Sequence, residues 1–309
     1  MNAFLRHSDN LIVASIGLIL GGSLWGLMWW PVRAILEVGL WGSWTSAMIY
    51  GCTAVLMIPL AVMRWRRIRS RWRHLAVIGL LTGTAFNFFT TSLELTEVIR
   101  AILLFYLMPV WGTLMGILFL GERVTAGRGL AILLGIGGLL IMMGLGNGWP
   151  WPRNLGDWMA LMAGFLWACG SLRLYQMGNV AVSDQMLAFV TGGLIVTVAI
   201  LVFGGPKLGG PLPMDIFLSA LPYGFLLALW FLPTLFLTVW PVTLLTPGRA
   251  GLLLMSEVVV GVVSAALFAG ETFGMREFIG TLMIVGAAIV ELLWRAPSAD
   301  EQISGTTGH

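Results

Sequence analysis

Polar and charged side chains are scarce in the apolar stretches of this 309-residue chain, so the few present stand out. Glu257 is the one carboxylate near the middle of an apolar run. An ionised side chain at a bilayer centre costs about 3 kcal/mol or more, so this carboxyl is expected to be protonated or hydrogen-bonded. Two roles fit it. On a face shared with the small residues Ala250, Gly261 and Ser264 it can hydrogen-bond a neighbouring helix, for example an indole N–H. Alternatively it is a coupling site that releases a proton as substrate binds. Arg100 and Arg249 sit about one turn inside apolar runs, where a guanidinium either attracts a substrate carboxylate or snorkels to headgroups. Glu97, three residues before Arg100, is a ready partner for it.

Other polar and aromatic residues recur at helical spacing. Thr84, Asn87 and Thr91 form a polar stripe that is costly against lipid and is expected to face the interior. Trp167, Ser171 and Tyr175 share a face, as do Tyr223 and Trp230, and Trp25 and Trp29. Rings offer stacking and edge contacts to a flat apolar side chain, and amides and hydroxyls can hold the polar ends of an amino acid. Each aromatic residue is equally a candidate for core packing or for an anchor at the lipid interface.

Other chemistries lack material. His7, His74 and His309 all lie outside the apolar runs, so a histidine relay, a Ser-His hydrolase or an intramembrane metal site has nothing to build on. There is no HExxH, GxSxG, GxGxxG or P-loop pattern, and nothing to cradle the phosphates of ATP. Neither metal nor cofactor is expected. Cys52 and Cys169 are lone thiols in apolar surroundings and are read as packing residues.

The elements that must position these residues follow from composition. Hydrophobic residues make up 58% of the chain and charged residues 10%, with a mean hydropathy of +0.92. A soluble domain carries about 25% charged residues, so a water-soluble fold is excluded. A helix needs about 20 apolar residues to cross a bilayer. Spans of that kind are expected near 11–36, 41–63, 75–93, 98–120, 128–146, 156–178, 184–204, 214–238, 244–269 and 273–294, an all-α integral membrane protein with ten transmembrane helices. The first run is too long for a signal peptide and lacks a small-residue cleavage motif, so it is expected to remain as the first span.

Orientation comes from the basic residues. Arg64, Arg66, Arg67, Arg69, Arg71 and Arg73 form the densest cluster, between the second and third spans, and such clusters stay in the cytoplasm. Both termini then lie inside. Only Arg33, Arg100, Arg153, Lys207 and Arg276, five of 17 basic residues, fall toward the outside. The net charge of +3 thus describes topology and gives no reason to expect nucleic acid; the partners expected are membrane lipid and a small molecule.

A stretch of this chain is written twice. Residues 100–122 and 249–271, laid over one another at an offset of 149, agree at 10 of 23 positions, including Arg100/Arg249, Gly112/Gly261 and Glu122/Glu271. A second echo, at an offset of 142, pairs Gly22-Ser23-Leu24-Trp25-Gly26 with Gly164-Phe165-Leu166-Trp167-Ala168. If each repeat holds five helices, the second enters the membrane from the opposite side, and the repeats are inverted. The expected organisation is a first repeat over 11–146, a periplasmic linker over 147–155, a second repeat over 156–294 and a cytoplasmic tail over 295–309. Glu122 and Glu271, each beside Gly at a helix end, are expected to hold the N-terminal amides of the next helix.

The chain has 40 glycines, and two GxxxG spacings in the first span, Gly17/Gly21 and Gly22/Gly26, point to close helix contacts. Pro31, Pro222, Pro233 and Pro247 each remove a backbone donor and are candidate hinges, although a static kink is equally compatible.

The Leu-Trp-Gly of the first span, the Trp-Ala of the sixth and the Gly-Glu closing the fourth and ninth together resemble the drug/metabolite transporter superfamily, EamA-type, across nearly the whole chain. Within it, the text from Arg249 to Gly261 most resembles the YddG-type aromatic amino-acid exporters. Many relatives carry Pro in both fourth helices of the repeat, as at Pro109, whereas the equivalent position here is Val258. The resemblance implies a monomeric inner-membrane exporter of neutral, especially aromatic, amino acids working by alternating access. A multidrug or other small-metabolite efflux transporter of the same superfamily is the alternative. An intramembrane enzyme would need paired catalytic groups, and a channel would need polar stripes on several helices; neither is found.

Overall fold

Three of the ten expected spans are broken in the middle. A computed structural model of the chain describes residues 2–40, 43–96, 98–143, 152–178, 180–204, 210, 214–268 and 273–293. Among them are thirteen helices and no strands. The span expected at 11–36 is α1 (Asn2–Gly26) followed by α2 (Trp29–Glu37); that at 98–120 is α5 (Val98–Phe105) and α6 (Met108–Leu120); that at 244–269 is α11 (Pro247–Leu254) and α12 (Ser256–Phe268). The others are unbroken: α3 (Ser43–Ser70), α4 (Trp72–Leu95), α7 (Ala126–Met143), α8 (Leu155–Gln176), α9 (Val182–Phe203), α10 (Met214–Val242) and α13 (Met275–Leu293). Seven helical runs are long and apolar enough to cross a membrane, and two further apolar helices are shorter, so this is a multi-pass membrane protein.

The breaks have local causes. Pro31 cannot donate to the carbonyl of Leu27, which accepts instead from Trp30 N at 3.2 Å, a tighter turn that separates α1 from α2. Pro109 likewise leaves the carbonyl of Phe105 without its usual partner. That oxygen lies against Gly164 of α8, where any Cβ would come within 2.5 Å of it. The second copy breaks at the equivalent place without a proline. Met255 corresponds to Tyr106 at the 149-residue offset, and Val258 N bonds Met255 O at 3.1 Å rather than Leu254 O. The Leu254 carbonyl lies 3.3 Å from a Cβ built on Gly22, the counterpart of Gly164 in the 142-residue echo.

The remaining hinge candidates differ. Pro222 and Pro233 sit inside α10, which is one continuous helix. Pro247 opens α11, where the missing N–H is an orphan in any case, so it starts a helix rather than kinking one.

Glycines set the packing of α1. Gly17 and Gly21 touch Trp240 and Leu237 of α10, while Gly22 and Gly26 bring α1 against Ser256, Glu257 and Gly261 of α12. At the start of α8, Asn154 Oδ1 caps Asp157 N at 2.9 Å, and Thr96 Oγ1 donates to Asp157 Oδ1 at 2.6 Å, locking α8 to the end of α4. Most of the expected linker and all of the expected tail fall outside the described residues. The arginine cluster is not in a loop as expected. Arg64, Arg66, Arg67 and Arg69 ride on the last turns of α3, since Arg is a good helix former, and Arg64 makes a bidentate pair with the buried Asp184 at the start of α9.

The polar stripe also has a packing role. Asn87 is buried; its Nδ2 donates to the carbonyls of Gly83 at 2.9 Å and Gly193 at 3.1 Å, and its Oδ1 accepts from Thr197 Oγ1 at 2.6 Å. These bonds tie α4 to α9 and use both the donor and the acceptor of the amide. Asn87→Leu is therefore expected to destabilise the protein by about 1–3 kcal/mol, from the carbonyl and hydroxyl left unpaired. A lowered unfolding midpoint in detergent micelles checks this; an unchanged midpoint refutes it.

Candidate functional site

The two halves meet around a small cavity, with about 50 Å³ of free space. Its walls are aromatic. Trp25 comes from α1, Phe86 and Phe89 from α4, Phe105 from α5, Trp167 from α8 and Phe189 from α9. Met108 of α6, Thr238 of α10, Leu254 of α11 and Glu257 of α12 complete it. Several lining residues are equivalents in the repeated text: Trp25 and Trp167 at the 142-residue offset, and Phe105 with Leu254 and Met108 with Glu257 at 149. The helix breaks carry the last two pairs, since each break ends one helix and starts the next beside the cavity.

The rings are held from behind. Trp25 Nε1 donates to Thr238 Oγ1 at 2.9 Å, and Thr238 in turn donates to Thr234 O at 2.8 Å, so the indole is fixed in plane. Its ring lies tilted against Phe86 at 5.1 Å and perpendicular to Phe231 at 5.4 Å between ring centroids. Phe89 and Phe105 lie 4.3 Å apart, and Trp167 meets Phe189 edge-on at 6.3 Å. Such pairs are worth about 1 kcal/mol each beyond their buried area and restrict ring motion.

Glu257 is the sole acidic or basic residue of the lining. Among the described residues it makes no salt bridge. It lies in the first turn of α12, and the buried Tyr106 hydroxyl lies beside it without a well-formed hydrogen bond. The expected indole tie from another helix is not formed.

Of the residues singled out in the sequence, Trp25, Trp167 and Glu257 line the cavity; Thr84, Asn87, Thr91, Ser171, Tyr175, Tyr223 and Trp230 do not. Thr91 and Ser171 are buried in helix packing, and Thr84 and Tyr175 are half-buried. Tyr223 is 42% exposed and turns outward from α10, because Gly224 beside it is the residue that packs against Met48 and Cys52. Trp230 Nε1 donates to Leu24 O at 3.3 Å, a tie between α10 and α1. Phe86, Phe89, Phe105, Met108, Phe189, Thr238 and Leu254 were not singled out. The repeat offset was a usable signal for Phe105 and Met108 once Leu254 and Glu257 were considered.

The arginines also separate from the cavity. Arg249 is not among the lining residues; its Nη2 donates to Ser15 Oγ at 3.0 Å, and it lies within electrostatic reach of Glu291, in a charge network. The backbone of Arg100 lies in α5, and its side chain is outside the described residues. Arg128 anchors that network, donating from Nη1 to Glu122 Oε2 at 2.8 Å and from Nη2 to Glu291 Oε1 at 3.2 Å. Glu122 therefore holds the next helix through an arginine side chain rather than through its amides; Glu271 lies outside the described residues.

No curated protein matches the chain. A solved structure titled only as the crystal structure of a protein is similar in fold, with a TM-score of 0.65 at 17% identity over 92% of this chain and 97% of the other. Residues 12–144 match the model of the EamA-like transporter family.

Proposed function

We propose that the whole chain is an EamA-type transporter of the drug/metabolite superfamily, with ten membrane helices in two inverted five-helix repeats. It exports small amphipathic metabolites, neutral and especially aromatic amino acids, across the inner membrane by alternating access. It works as a monomer, with both termini cytoplasmic and the linker between repeats periplasmic. The observation that carries this reading is the cavity where the halves meet, lined by equivalent positions of the two repeats, Trp25 with Trp167 and Met108 with Glu257. Inverted repeats with a central site are the usual architecture for alternating access. The aromatic wall suits a flat apolar side chain.

Multidrug efflux is the second reading, favoured by the scarcity of polar groups in the lining. The two separate in proteoliposomes offered radiolabelled phenylalanine, threonine, nucleosides or cationic dyes. Phenylalanine flux is expected, reduced about tenfold by Trp25→Ala, which removes a ring contact and buried area. The exposed Trp65→Ala serves as control, with flux unchanged. Dye flux without phenylalanine flux would favour the second reading, and flux of neither would overturn both.

A further inference from the structure

We infer that Glu257 is the subsite for a protonated amine, and that the indole N–H of Trp167 donates to an acceptor oxygen at the other end of the ligand. The cavity would thus take an aromatic or apolar molecule carrying an ammonium group. This rests on the transporter reading and names the chemistry of its substrate.

Two independent features meet in one cavity. The first is Glu257, a carboxylate in a wall otherwise built of rings, aliphatic side chains and the hydroxyl of Thr238, with no cation paired to it among the described residues. It is one of the residues that line the cavity. An unpaired buried carboxylate is costly, and a ligand that brings the opposite charge removes that cost while a neutral ligand does not. The second is Trp167, which lines the same cavity at 8% exposure, with its Nε1–H buried and without a partner. Buried donors are nearly always satisfied, so an orphan in a cavity wall points to a ligand acceptor. The counterpart Trp25 makes the contrast plain, because its Nε1–H is already spent on Thr238.

The rings fit the same ligand. Trp25, Phe86 and Phe105 belong to the wall that also holds Glu257, and an ammonium is attracted to aromatic rings as well as to a carboxylate. In the first repeat the position equivalent to Glu257 is Met108, also in the lining. The acidic group therefore stands on one of two equivalent sides, so a ligand with one charged amine is held in a single orientation.

The test uses the full-length purified protein in detergent and three probes that share a phenyl ring: L-phenylalanine, phenethylamine, which lacks the carboxylate, and 3-phenylpropionate, which lacks the amine. Binding is read as ligand-induced thermal stabilisation. Phenylalanine and phenethylamine are expected to stabilise the wild type at concentrations about tenfold or more below 3-phenylpropionate, the usual size of a charge-assisted hydrogen bond. Glu257→Gln is expected to erase that preference, and Trp167→Phe to weaken phenylalanine more than phenethylamine. The preference is a ratio within one variant, so partial misfolding does not mimic it. Equal stabilisation by phenethylamine and 3-phenylpropionate in the wild type, or a ratio unchanged in Glu257→Gln, overturns the inference. Failure of the transporter reading shows differently, as no flux of labelled phenylalanine in proteoliposomes while the binding preference persists.

Discussion

Arg128→Ala is expected to produce the largest loss of stability of any single polar substitution in this chain, about 3–5 kcal/mol. The guanidinium is 10% exposed and is shared by Glu122 and Glu291, the latter 4% exposed. Removing it leaves two carboxylates facing each other with Arg249 as the remaining nearby cation. The cost is that of stranded charge rather than of the lost pairs, so the pattern of rescue is diagnostic. Arg128→Met combined with Glu122→Gln and Glu291→Gln is expected to recover much of the loss, because the replaced groups no longer need a counter-charge. The measurement is the unfolding midpoint in detergent micelles. An Arg128→Ala midpoint equal to wild type would show that the network does not hold α6, α7 and α13 together.

Gly192→Val is expected to be comparably disruptive, at about 3 kcal/mol or more from overpacking and the hydrogen bonds it strains. At the crossing of α4 and α9 the backbones touch. A Cβ on Gly192 would run into the carbonyl of Gly79 and come within 2.8 Å of its Cα, and a Cβ on Gly83 would meet Gly192 C at 2.6 Å. These neighbours are backbone and cannot turn aside, so the helices must separate. Separation lengthens the bond from Asn87 to the Gly193 carbonyl, which depends on the same close approach. Gly51→Ala is the control. A Cβ there meets nothing within 4 Å, and the change is expected to be neutral or slightly stabilising by reducing the freedom of the unfolded chain. Equal midpoints for the Gly192 and Gly51 variants would refute the close crossing.

Much of the architecture is legible in one dimension because membrane insertion imposes a simple rule. Long apolar runs must be helical where lipid offers no hydrogen bonds, so the all-helical, multi-pass character follows from composition and run length. The twofold writing of 100–122 and 249–271 marks the segments that supply Phe105, Met108, Leu254 and Glu257 to one cavity. The pairing of Trp25 with Trp167 is likewise present in the echo between the first and sixth spans. Proline also marks two breaks, at Pro31 and Pro109.

The break at Met255 has no proline and depends on α1 passing close by, with Gly22 beside Leu254 O and Ser256. Which face of α4 meets the cavity is equally a matter of packing. Asn87 and Phe86 are adjacent residues about 100° apart on the helix, and both are costly or wasteful to turn toward lipid. Periodicity favours the polar stripe as the inner face. In the folded chain the glycines at 79 and 83 dock on α9, Asn87 is consumed at that crossing, and Phe86 and Phe89 are left to line the cavity. Helical spacing specifies which side chains share a face, but the faces that meet are chosen by how closely two backbones can approach, and that is a property of the pair of helices.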